Sequence, residues 1–165
     1  MSINLRYIPT SLTKKDKIKQ KNMIIKSRKL YKKGQFYTRK KVTSFQSKKS
    51  NHIKNAEQIY HINKIKASNE LAKATGCTKK ALAKIINKGM GAYYSSGSRP
   101  NQTAQSWGVA RLASAITAGK AAAVDFDILQ KGCKKTGKAF KLAKKAKQKY
   151  GKGTRRIKKI DTYLL

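Results

Sequence analysis

The chain has 165 residues, of which 41 are Lys or Arg and six are Asp or Glu, for a formal net charge of +35. No apolar run approaches the roughly 18–20 residues of a membrane span, and the opening MSINLRYIPTSLTKKDKIKQ lacks the apolar stretch of a signal peptide. At this length one domain is expected, and self-repulsion at this charge calls for a polyanion or an acidic protein surface as partner.

The charge divides the chain into three. Residues 1–55 carry 17 basic residues and one acid (Asp16), residues 131–165 carry 14 and one (Asp161), and residues 56–130 carry 10 and four. A less charged centre between two cationic arms is the expected layout, with an N-terminal arm at 1–55, a central helical domain at 56–132 and a basic C-terminal helix and tail at 133–165.

In the first arm, Thr13 can cap a helix with Asp16 at a favourable dipole position, and Ile18, Met23, Ile24, Ile25 and Leu30 form an irregular apolar stripe. Beyond Gly34, the aromatic and β-branched Phe36, Tyr37, Val42 and Phe45 alternate with Arg39, Lys40 and Lys41. That mixture predicts an extended, strand-like segment anchored on a partner by its aromatics.

Every central element reads as a short helix. Ser68 caps one that Gly76 closes, and Thr78 opens the next, with Leu82, Ile85 and Ile86 on one face and Gly89 as its stop. AYYSSGSRPNQ reads as a loop. Thr103 starts a helix carrying Val109, Leu112, Ala113 and Ile116, which Gly119 ends. A last one runs through Val124, Ile128 and Leu129 to Gly132. In the C-terminal arm Ala139, Leu142, Ala143 and Ala146 recur at helical spacing up to Gly151, and Ile157, Ile160, Tyr163, Leu164 and Leu165 form a tail suited to a protein groove. The fold class is therefore all-α, a small bundle of short helices with basic arms.

Two stretches carry the candidate function. Residues 69–89 have the spacing of a helix-turn-helix. Their second helix, however, offers Lys79, Lys80 and Lys84, which neutralise phosphate without reading bases, so a plain αα-hairpin is preferred. With Lys134, Lys135, Lys138, Lys141, Lys144, Lys145, Arg155 and Arg156 these lysines make the nucleic-acid candidates. The candidates for contact with a partner protein are Phe36, Tyr37, Arg39, Phe45, Tyr93, Tyr94, Arg99, Gln105, Trp107 and Arg111. Trp107 and Arg111, four apart, can stack as a cation–π pair.

No catalytic constellation is present. Asp125 and Asp127 are separated by one residue on a helix and point to different faces, which is poor geometry for a dyad or a metal. Cys77 and Cys133 are expected to be buried and reduced, with a disulfide left open by their spacing. A zinc site with His52 and His61 lacks any recognisable ligand spacing. No cofactor and no small-molecule substrate are expected.

The strings RYIPTSLTKKDK (6–17), SRKLYKKGQFYTRKK (27–41), ELAKATGC (70–77) and GAYYSSGSRPNQTAQSWGVARLASAITAGKAAAVDFDIL (91–129) resemble a small basic protein family of large double-stranded DNA viruses, the algal and giant viruses. A shorter version of the SGSRP core occurs in some tailed phages. The resemblance implies a component of the virion, or of the host cytoplasm or virus factory during assembly, and no enzymatic activity. The first reading is then a minor capsid protein whose arms tie capsomers together on the inner face of the shell. Its partners would be the major capsid protein and other minor capsid proteins, with the inner membrane surface as a further bed for its charge. The alternative is a non-sequence-specific viral DNA-binding protein that condenses the genome.

Overall fold

The computed structural model describes residues 1–153 and 157–165. These form an all-α fold, as the pattern predicts, with eight α-helices and a single two-stranded ribbon among the described residues. They separate into two compact units, one of residues 1–48, 90–107 and 157–165, the other of 49–89 and 108–153. The charge-based boundaries do not coincide with these units. In the described residues the first unit holds 18 basic and two acidic residues, net +16, and the second 21 and four, net +17. What looks like charged arms and a milder centre along the chain is evenly distributed in space.

The first unit has a core because the N-terminal segment carries enough apolar side chains to make one. Strand β1 (Ser2–Asn4) pairs antiparallel with β2 (Lys159–Asp161), placing Ile3 opposite Ile160. Of the C-terminal residues expected to enter a partner's groove, Ile160 thus pairs with the chain's own start and Leu165 packs against the core, while Tyr163 and Leu164 stay exposed. Helix α1 (Lys14–Tyr31) begins as predicted, the Thr13 hydroxyl accepting from the Asp16 N–H at 3.3 Å. Its buried residues Asp16, Gln20, Met23, Ile24 and Ser27 recur every three or four positions and so share one face. Ile3, Ile8, Leu12 and Val42 complete the cluster.

Residues 35–48 form no strand, contrary to expectation. Side chains, not a neighbouring strand, satisfy their backbone. Asn101 accepts from the Val42 N–H at 2.8 Å and donates to the carbonyls of Val42 (3.1 Å) and Phe45 (2.7 Å). Ser44 donates its N–H (2.9 Å) and hydroxyl (2.6 Å) to the Asp16 carboxylate.

In the second unit, α2 (Asn51–Tyr60) is followed by α3 (Asn69–Thr75), which Ser68 and Gly76 bracket as read from sequence. Helix α4 (Lys79–Ser95) opens at Thr78, whose hydroxyl accepts from Ala81 N–H at 3.1 Å. It does not stop at Gly89, and Tyr93 and Tyr94 lie on its last turn instead of in a loop. Gly89 is a point of close approach: a Cβ there would stand 2.6 Å from the Gly108 Cα of α5 (Ala104–Ala115). Both α4 and α5 are divided between the two units.

Gly119 precedes a helix where sequence made it an end, and the predicted last helix is two, α6 (Lys120–Val124) and α7 (Phe126–Gly132), broken at Asp125. Helix α8 (Lys138–Tyr150) buries Ala139, Phe140, Ala143 and Ala146 against α3, α6 and α7. No described helix is long and apolar enough to cross a membrane.

Candidate nucleic-acid interface

The nine described lysines singled out for nucleic acid (Lys79, Lys80, Lys84, Lys134, Lys135, Lys138, Lys141, Lys144 and Lys145) are all exposed and all in the second unit. Arg155 and Arg156 lie outside the described residues. Two lysine groups far apart in sequence flank one feature. Cys77 and Cys133 form a disulfide across an antiparallel bridge, correcting the expectation of free thiols. The bridge is flanked by Thr78 N–H donating to the Gly132 carbonyl (2.7 Å) and Lys134 N–H donating to the Gly76 carbonyl (2.8 Å). Because the bridge is antiparallel, Lys79 and Lys80 leave it beyond the Gly132 end and Lys134 and Lys135 beyond the Gly76 end, so the start of α4 and the approach to α8 carry their charge on either side of the disulfide. From there α8 continues with Lys138, Lys141, Lys144 and Lys145 around its solvent side, because the opposite face is occupied by its buried alanines and Phe140.

Little of this charge is cancelled internally. Among the described residues only three Lys or Arg side chains form ion pairs, Lys49 with Glu57 (2.7 Å) and Lys88 and Arg111 with Asp125 (2.8 Å each). Lys138 donates to the Ile59 carbonyl at 3.1 Å, and Lys144 lies 5.0 Å from the Phe140 ring centroid. These contacts lay the aliphatic stems on the surface and give neither ammonium group a carboxylate partner.

The candidates for protein contact divide. Arg39 and Tyr93 are buried and serve the first unit's own core, which corrects their assignment as contact residues. The Arg39 guanidinium lies 3.7 Å from the Tyr93 ring centroid and donates to Ser27 Oγ (3.1 Å), the Tyr93 carbonyl (2.9 Å) and Ser98 Oγ (2.8 Å). Burial lowers its pKa, and the π face and oxygen ring stand in for a carboxylate. Tyr37 and Phe45 pack half-buried on the same unit's core, and Tyr94 stacks on Tyr31 at 6.0 Å. Phe36 (70% exposed), Arg99 and Gln105 face solvent.

Trp107, half-buried, meets Tyr7 edge-on at 6.0 Å. Arg111 pairs with Asp125 and forms no cation–π contact with Trp107. The SGSRPN string also serves the fold. Gly97 has φ +125° and a Cβ there would stand 2.9 Å from the Tyr7 ring, Ser98 receives Arg39, and Asn101 holds residues 42–45.

Sequence reasoning missed the centre of the second unit. Asp125, dismissed as half of a poor dyad, is fully buried and accepts from Arg111 Nε (2.8 Å), Arg111 Nη2 (2.9 Å) and Lys88 Nζ (2.8 Å). Burial alone would raise its pKa, but the hydrogen bonds and charges of the two cations hold it below the ordinary 3.8. An acid set among the apolar residues of KAAAVDFDIL was the available signal. Among the described residues no cluster of three or more His, Cys, Asp or Glu could hold a metal ion.

No curated protein and no solved structure matches the chain. A family match does extend from the first strand through Cys133, spanning the SGSRPN clamp, the Lys88–Asp125–Arg111 cluster and both cysteines. By that match, over residues 4–133, the chain belongs to the family described as of unknown function, DUF5824.

Proposed function

We propose that this protein is a non-enzymatic structural component of a large double-stranded DNA virus particle that holds the genome by its phosphates without reading sequence. The observation that carries this reading is the set of nine exposed lysines on α4, on α8 and in the segment between the disulfide and α8, none of them neutralised by a carboxylate among the described residues. Lysine on a helix surface meets phosphate as a point charge and carries no base code. The viral setting rests on the resemblance of the SGSRPNQTAQSWG region.

With about six phosphates engaged, affinity falls about 10³-fold between low and moderate salt. Titration of the full chain against duplexes of unrelated sequence tests this. Equal affinities that fall together with salt support it, and affinity confined to one sequence, or flat in salt, overturns it.

A role as capsid cement is the second reading. It is favoured by Tyr163, Leu164 and Phe36, which are 89%, 80% and 70% exposed, more than large apolar side chains need be without a partner. It loses the extended arms that motivated it, since residues 1–48 and 157–165 build a core together. Nuclease treatment of opened particles separates the readings: release with the DNA favours the first, retention on the shell the second.

A further inference from the structure

The first unit contains a groove of about 550 Å³, within the range of small-ligand sites. Arg28 and Lys29 of α1, Lys32 just beyond its end, Lys159 of β2, Ser96 and Tyr7 are among the residues lining it, and no Asp or Glu does. Arg28 is fixed there by donating through Nε and Nη2 to the Ser96 carbonyl (2.9 and 2.7 Å) and through Nη1 to the Ser2 carbonyl (2.9 Å). Lys29, Lys32 and Lys159 are exposed, and none is in an ion pair among the described residues. Four cations converging on one cavity repel one another, and an anion seated among them relieves that repulsion.

Tyr7 narrows the class of anion. Its ring stands nearly perpendicular to that of Trp107, and the residue lines the groove beside the cations. An aromatic face next to a cationic track is the combination that receives a single nucleic-acid strand, phosphates on the cations and a base on the ring. A duplex cannot offer a base to it, because its bases are stacked and paired inside.

We propose that this groove binds single-stranded nucleic acid, with Lys29, Lys32 and Lys159 on the backbone and Tyr7 against a base. The inference rests on the polyanion-binding reading above but places a different ligand on the other unit.

The test titrates the full chain with a fluorescein-labelled oligothymidylate, and in parallel with a duplex, across a salt series. Replacing Lys29→Gln, Lys32→Gln and Lys159→Gln together removes three exposed charges. It should lower the single-strand log–log salt slope by about 2, at about 0.7 per phosphate contact, and leave the duplex slope unchanged. Irradiation of the complex with a strand carrying 5-bromodeoxyuridine should cross-link the peptide containing Tyr7. A triple variant with the wild-type single-strand slope, or cross-links confined to α8, overturns the groove while leaving the duplex reading intact. A wild-type chain that binds neither probe overturns both.

Discussion

Asp125→Asn removes the charge at the centre of the second unit with almost no change in volume. The wild-type carboxylate side chain is 0% exposed and receives three charged hydrogen bonds, two from Arg111 and one from Lys88. Removing one member of a fully buried pair costs about 3–5 kcal/mol, because the remaining charge is stranded. Here Arg111 is 23% and Lys88 45% exposed, so both cations can turn to water and recover part of that. Asparagine also still offers one acceptor oxygen. The expected loss is therefore about 2–3 kcal/mol, with most of it on the Arg111 side. Urea unfolding of the full chain, followed by circular dichroism, measures it.

The pH dependence gives a second handle on the same change. Because the folded pKa of Asp125 lies below its ordinary value, its contribution is present above the unfolded pKa of about 3.9 and is lost as pH falls through the folded one. The gap between wild type and Asp125→Asn should be full at neutral pH and shrink below about pH 4. A gap under about 0.5 kcal/mol at neutral pH, or one that persists unchanged in acid, refutes the reasoning.

Gly89→Ala sets a helix-propensity gain of about 1 kcal/mol against a Cβ only 2.6 Å from the Gly108 Cα. Overpacking of this kind costs about 1–3 kcal/mol, so the variant should melt lower, and a higher melting point contradicts the close approach. Reducing the Cys77–Cys133 bond, which spans 56 residues, should cost about 4 kcal/mol on the chain-entropy estimate; urea midpoints with and without dithiothreitol measure it, and unchanged midpoints count against a bonded pair. Asn101→Ala loses three hydrogen bonds to residues 42 and 45 and puts alanine at φ +61°. It should cost about 2 kcal/mol or more, with Asn101→Gly recovering part of the backbone strain but none of the bonds; equal urea midpoints for wild type and Asn101→Ala would count against that clamp.

The helix starts were legible in the sequence because caps are local. Thr13, Ser68, Thr78 and Thr103 each accept a backbone N–H two or three positions into the first turn. Helix ends were less legible. Glycine at a helix end and glycine at a helix crossing look the same in one dimension, and only the approach of Gly108 shows that Gly89 is the second kind.

The charge layout misled for a related reason. Charge density along the chain is a local quantity, whereas the pairing of residues 2–4 with 159–161 and the seating of Arg39 on Tyr93 are long-range. Nothing near Arg39 in sequence announces that serine hydroxyls and a tyrosine ring will receive it. The lysine candidates were recognised singly, but their placement in one unit depends on Cys77 meeting Cys133, which no spacing rule supplies.

The exposed lysines of the second unit are proposed to grip duplex phosphates. The direct measurement is the salt dependence of duplex binding by the full chain, wild type against Lys141→Gln, Lys144→Gln and Lys145→Gln combined. All three side chains are exposed on α8, so the fold should be unaffected and circular dichroism should show it. At about 0.9 per phosphate contact the log–log slope should fall by about 2.7, equally for unrelated duplex sequences. An unchanged slope would contradict the account, as would a loss restricted to one sequence.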